Sequence, residues 1–205
     1  MTTGVGPPSI AHELGGLVTT TVTRDGRQRV IDAALAQFAQ YGVEGTSLQM
    51  IADAMGVTKA AVYYHFKTKD EIVLAVVSPA IEQLVLTLGE AETRRGRATR
   101  ARAFLSAFVD LVIGHRVLLT LLYDDVAVLR VVRTERPDFD QIADRISAVL
   151  VGPDAGPAEE VASAVALTGI VAAAASPDFA ELTDAELGAH LLDAGLRLIA
   201  PRRRR

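Results

Sequence analysis

Residues 46–70, TSLQMIADAMGVTKAAVYYHFKTKD, constrain the fold more than any other part of the chain. Leu48, Ile51, Ala52 and Met55 recur at helical spacing and give a first short helix one apolar face. Thr46 is placed to cap that helix, with Gln49 three residues on as the returning half of a capping box. Gly56 follows where a helix ending in left-handed backbone favours glycine. Thr58 then caps a second helix, and Val57 and Val62 take the two positions of a hydrophobic staple. Thr68 and Glu71 form a second capping box that opens a third helix. Two helices joined by a three- or four-residue turn containing glycine make a helix-turn-helix, whose second helix is built to enter the major groove of DNA.

The side chains suit that placement. Lys59, Tyr63, Tyr64, His65, Lys67 and Lys69 can donate to phosphates or base edges. Ala60 and Ala61 keep the start of the helix slim and can touch a thymine methyl. All three lysines of the chain fall between 59 and 69, and no acid lies between Asp53 and Asp70. A chain of formal net charge −4 thus carries a locally cationic segment, as an electrostatic footprint on DNA requires.

The residues that carry this pattern resemble the DNA-binding domain of the TetR family, the one-component bacterial regulators named after the tetracycline repressor. The matching pieces are RQRVIDAALAQFAQYG (27–42), GTSLQMIADAMGVTKAAVYYHF (45–66) and KTKDEI (67–72), about 50 residues in all. The rest matches only in length and helical character. The resemblance implies an all-α protein with an N-terminal three-helix head, residues 24–70, and a C-terminal helical effector-binding and dimerisation body, residues 71–200. It implies a homodimer on a palindromic double-stranded DNA operator, released by a small apolar effector, with repression the usual mode. Carried over residue by residue, the DNA-binding set is Gln49, Thr58, Lys59, Ala60, Ala61, Tyr63, Tyr64, His65, Lys67 and Lys69. Each has a plainer reading beside it. Tyr63 can pack beside its helix's apolar face, and His65 suits the C-terminal end of a short helix. Gln49 can bond its own cap, and Lys69 is a helix-start residue.

Composition bounds the alternatives. A chain of 205 residues that is half hydrophobic can bury a sizeable core, and a charged fraction of 22% suits a water-exposed surface. The absence of cysteine excludes disulfides, thiolate metal sites and cysteine nucleophiles, and fits a reducing cytoplasm. No secretory signal is visible at the N-terminus, and the apolar stretches read as too short or too interrupted to span a bilayer, so no membrane partner is expected. There is no HExxH, phosphate loop or serine elbow, and the four histidines are scattered, so no catalytic residue, metal or cofactor is expected. An enzyme carrying the same head, recruiting His115, Tyr123, Asp124 and Asp125, is one alternative; an effector-independent DNA-binding protein is another.

In chain order, residues 1–23 read as a flexible arm, with Arg24, Arg27 and Arg29 at its junction with a helix over 27–41. That helix has Val30, Ile31, Ala34, Leu35 and Phe38 as its stripe and is stopped by Gly42. From Lys69 a helix runs to about Glu90, interrupted at Pro79. A charged connection over 90–100 precedes a helix ending near His115, then a run over 117–132 that is apolar nearly all round, a loop over 133–138 and a helix over 139–150. The last third holds two helices. One runs over 157–176 with proline and acids in its first turn, and the other is opened by Thr183 and Glu186. By resemblance these pair with their mates in a dimer; by pattern alone they fit an internal core equally well. His115 or Tyr123 is expected to supply one of the few polar contacts in an apolar pocket, with a satisfied core group the plainer reading of each; the ligand is expected to be hydrophobic, of aromatic, polyketide-like or acyl kind. The terminal RRRR, 201–205, is a basic tail.

Overall fold

The computed structural model describes residues 15–200, with side chains from Gly26 onward. The described residues are all-α: α1 (Gly15–Gly45), α2 (Leu48–Met55), α3 (Lys59–His65), α4 (Lys69–Glu92), α5 (Arg97–Gly114), α6 (Arg116–Asp124), α7 (Val126–Glu135), α8 (Phe139–Val151), α9 (Pro157–Ala175) and α10 (Asp184–Leu198), with one 3-10 turn at Pro177–Phe179. Residues 1–14 of the expected arm and the basic tail 201–205 lie outside the described residues, as does the side chain of Arg24.

α1, α2 and α3 form the head. Val30, Ala34 and Phe38 of α1 meet Ile51, Ala52 and Val62 of α2 and α3 in one core, all at most 1% exposed. α1 starts at Gly15, inside the stretch expected to be an arm. Its helical backbone stops at Gly42, as the sequence predicts: φ 70° and ψ 167° kink the chain there, and one short turn leads on to Gly45. Positive φ with extended ψ is accessible to glycine and strained for other residues, so the position needs this residue.

α4 is common to both parts. It leaves the head at Lys69 and runs unbroken through Pro79 to Glu92. The expected interruption at Pro79 does not occur. The proline is exposed, and nine buried side chains, among them Ile72, Val77, Ile81 and Leu88, hold the helix against its neighbours on the other side. Burying one such side chain contributes about 1.5–3 kcal/mol, enough for a few to offset the roughly 3 kcal/mol that an interior proline costs.

In the body α5 is central, packed by α4, α8, α9 and α10. Phe104, Leu105, Phe108 and Val112 fill its faces, with the Phe104 and Phe108 rings stacked at 5.8 Å. The apolar run expected as one helix over 117–132 is two, α6 and α7, parted at Asp125. The Asp125 carboxylate accepts from the Ala127 N–H at 2.8 Å, so it caps α7 and starts a new helix in a new direction. α7 also runs three residues into the expected 133–138 loop, to Glu135. The Thr183–Glu186 capping box forms as expected, each side chain bonding the other's backbone N–H.

One sequence reading of the apolar stretches is corrected. α4 and α9 are each long and apolar enough, by length and composition, to cross a bilayer. α4 packs nine side chains into the core and leaves Leu86 at 69% exposure. α9 buries its apolar side chains only in part, leaving Val161 and Val165 at 62% and 52% exposure.

Candidate nucleic-acid interface and effector cavity

The turn between α2 and α3 is fixed by its own backbone. Gly56 adopts φ 66° and ψ 30°, and its N–H bonds the Asp53 carbonyl at 3.0 Å. The Val57 N–H bonds the Ala52 carbonyl at 3.0 Å, completing a Schellman ending. Thr58 then caps α3 by accepting from the Ala61 N–H, and Val62, fully buried, anchors the helix from beneath. The cap of α2 differs from expectation. Ser47 accepts from the Met50 N–H, while Thr46 is buried and donates its hydroxyl to the Gly42 carbonyl at 2.8 Å. Gln49 therefore has no capping box to close. Its amide donates to Asp53 Oδ1 at 2.7 Å and remains exposed. The box at Thr68 is also altered, because Glu71 accepts from the Lys67 N–H rather than from that of Thr68.

α3 divides its side chains cleanly. Thr58, Lys59, Ala60, Ala61, Tyr63, Tyr64 and Lys67 are exposed, with Tyr63 at 40% and Tyr64 at 71%. Lys59 Nζ lies 5.6 Å from the Tyr63 ring centroid, and Lys67 Nζ donates to the Tyr63 carbonyl at 2.7 Å, closing the helix's C-terminal end. Among the described residues no carboxylate pairs with either lysine, so the face keeps its positive charge.

Two expected contacts are engaged inside the head. Lys69 Nζ donates to the Val43 carbonyl at 2.6 Å and the Thr46 carbonyl at 3.1 Å. It ties the start of α4 to the end of α1, where carbonyls lack helical partners. His65 is turned onto α1: a Cβ added to Gly26 would lie 2.9 Å from His65 Nε2. Beside it the Arg27 guanidinium lies 4.5 Å from the Phe66 centroid, a cation–π contact that packs α1 against α3.

Beside the shared α4, the head meets the body at the α6–α7 break. The second oxygen of Asp125 accepts from the Val43 N–H at 2.8 Å, one residue past the Gly42 bend. One turn on, Arg130 lies 3.5 Å from Asp70 and 3.9 Å from Glu44, both in the head. Sequence reasoning noted Asp125 only as a polar residue near the body's helices. Its signal was an aspartate directly before an apolar helical run, the position of an N-cap.

Residues flanking the break, Tyr123 of α6 and Leu129 of α7, line a cavity of about 380 Å³. Leu84 of α4, Leu122 of α6, Ile142 and Ile146 of α8 and Leu167 of α9 complete its apolar wall. The polar groups on its wall are Tyr123, Ser147, Ser163 and Glu160. Burial pushes the Tyr123 phenol up to about 12. His115 is not on this wall; it is exposed at the α5–α6 corner. A wider cleft of about 790 Å³ between α1, α6 and the 3-10 turn stands open to solvent, lined by Phe38, Gly42, Asp125 and Phe179. The walls of the smaller cavity are the more apolar, which makes it the candidate small-molecule site. Among the described residues no cluster of histidine and acidic side chains is arranged to hold a metal ion.

Comparison with known proteins gives a consistent picture. Residues 30–76 match the family model for bacterial regulatory proteins, tetR family. The "Probable acrEF/envCD operon repressor" of Escherichia coli (strain K12) is 43% identical over 61 residues, covering 29% of this chain and 28% of that protein. The "HTH-type transcriptional activator FasR" of Mycolicibacterium smegmatis is 34% identical over 91 residues, covering 43% and 42%. The chain thus matches under a third of the length of the first relative, through its head. Over the whole fold, the ketosteroid transcriptional regulator KstR2 of Mycobacterium tuberculosis superposes with a TM-score of 0.65 at 20% identity, covering 83% of this chain and 93% of that one.

Proposed function

From the premise that the head of this chain belongs to the tetR family of bacterial regulatory proteins, we propose that the whole protein is a ligand-responsive transcriptional regulator that binds a palindromic operator as a homodimer. The observation that carries this reading is α3: a short helix anchored by Val62, with Lys59, Tyr63, Tyr64 and Lys67 exposed and no acid paired to either lysine among the described residues. Thr58, Ala60, Ala61 and Gln49 complete the contact face. Lys69 and His65 serve the head's own packing, and Lys69 has one N–H left for a phosphate. Such a protein works in the cytoplasm, where the DNA is, and needs no turnover.

The dimer is proposed to form through α9 and α10. Val161, Val165 and Leu198 are exposed apolar side chains on these two helices, a surface that a second copy would cover. Two recognition helices must then lie roughly 34–36 Å apart, or further on a longer operator. An effector in the 380 Å³ cavity touches Tyr123 of α6 and Leu129 of α7, the helices that meet at Asp125, whose carboxylate bonds Val43 of the head. A preference of about 1–3 kcal/mol for the non-binding arrangement of heads is sufficient for a useful response.

The test is equilibrium binding to duplex DNA flanking the protein's own gene, titrated with salt against a scrambled duplex. Specific binding exceeds non-specific by about 10³-fold or more, with a stoichiometry of two chains per palindrome. Equal affinity for that duplex, the scrambled duplex and the best sequence from a random library would refute the reading. Repression is the proposed sign. The activator among the relatives makes a reporter assay, with and without the regulator, the readout of that sign.

A further inference from the structure

The walls of the 380 Å³ cavity carry hydroxyls and a carboxylate but no lysine, arginine or histidine. Tyr123, Ser147 and Ser163 present hydroxyls to the cavity, and none of the three is a buried orphan. Tyr123 lies on α6, and Ser163 lies within α9, itself 4% exposed. Glu160 stands one turn before Ser163, at an exposed position on the rim.

We propose, resting on the reading of this cavity as the effector site, that the effector is an uncharged apolar molecule bearing a carbonyl or ether oxygen, which Tyr123 and Ser163 bond, and that Glu160 discriminates against carboxylates. The physical reasons are three. An anion brought into an apolar cavity loses its hydration, and without a cation on the wall nothing of comparable strength replaces it. Glu160 adds like-charge repulsion at the entrance. An uncharged acceptor meets hydroxyl donors on an otherwise apolar wall, and a site built of such donors discriminates for a ligand that satisfies them. Burial holds the Tyr123 phenol protonated up to about pH 12, so it remains a donor across the physiological range. A cavity of this volume takes a molecule of drug-like size rather than a coenzyme-linked chain.

The test uses three eleven-carbon probes, 2-undecanone, undecanoate and undecylammonium, titrated into the full-length protein by calorimetry; the chain has no tryptophan to report binding optically. The ketone is expected to bind about tenfold or more tighter than the carboxylate and the amine. Tyr123→Phe and Ser163→Ala are each expected to weaken the ketone several-fold at unchanged thermal midpoint. Glu160→Gln is expected to strengthen undecanoate and leave 2-undecanone unchanged. Tighter binding of undecanoate or undecylammonium than of the ketone overturns the inference while leaving the effector site in place. Failure of all three probes at millimolar concentration, with operator binding intact, overturns the effector role of this cavity and leaves the DNA-binding head standing.

Discussion

Replacing Asp125 with alanine tests how the head is held to the body. The carboxylate makes two bonds that no neighbour can replace: one to the Ala127 N–H, capping α7, and one to the Val43 N–H in the head. Removing an N-cap aspartate costs about 0.5–2 kcal/mol. Val43 is fully buried beneath Asp125, so its N–H loses its protein partner, at about 1–3 kcal/mol, the lower end applying where water from the adjoining cleft reaches it. The two together come to about 1.5–5 kcal/mol. For a chain of this size each kcal/mol lowers the thermal midpoint by about 2–4 °C, so a fall of roughly 3–20 °C is expected. Asp125→Asn keeps an acceptor and should lose much less. Thermal unfolding followed by circular dichroism measures the midpoint, and hydrogen exchange at the Val43 amide locates the damage. An alanine variant melting within about 2 °C of wild type, with the Val43 amide still protected, would show that the contact holds nothing.

The remaining predictions concern single side chains. Tyr63→Phe should weaken operator binding and leave the melting curve unchanged; unchanged affinity would remove the hydroxyl from the contact set. Lys59→Ala should lower affinity for all duplexes alike and reduce the salt slope by about one. Lys69→Met should instead lower thermal stability, because its ammonium bonds Val43 and Thr46; a change in salt slope larger than that of Lys59→Ala would reverse the two roles. Tyr123 gives a pH signature. Its phenol ionises near 10 when free and at about 12 when folded, so the unfolded chain releases the proton first and stability falls as pH rises from about 10 towards 12. Between pH 9 and 11 this loss is about 1.4 kcal/mol, and urea titrations of Tyr123→Phe should lack it.

Much of the head was legible because its signals are local. Glycine at Gly56, threonine at Thr58 and the apolar spacing of Leu48, Ile51 and Ala52 each act within a few residues of themselves. What the sequence concealed depends on contacts across the chain. Lys69 reads as a surface cation until the end of α1 is seen to lie beneath it. His65 reads as a donor until α1 brings Gly26 against it. Thr46 and Ser47 compete for one cap, and burial of Thr46 against the Gly42 carbonyl decides for Ser47. Pro79 reads as a break because propensity is local, while the packing that keeps α4 whole is not. The 117–132 run hid its own division, since apolar periodicity continues smoothly on either side of Asp125. The cavity left almost no trace in sequence. Its hydroxyls come from α6, α8 and α9 and are brought together only by the fold.

The sharing of α4 sets where this molecule can be cut and rejoined. A head excised at residue 66 would lose Lys69, whose ammonium secures the end of α1, and Ile72, Val73 and Val76, which close the head's underside. Its exposed core would favour aggregation over independent folding. A chimera that transplants this head onto another body must therefore carry α4 as far as the exposed turn at Pro79 and splice there, where the helix has already given up one backbone bond.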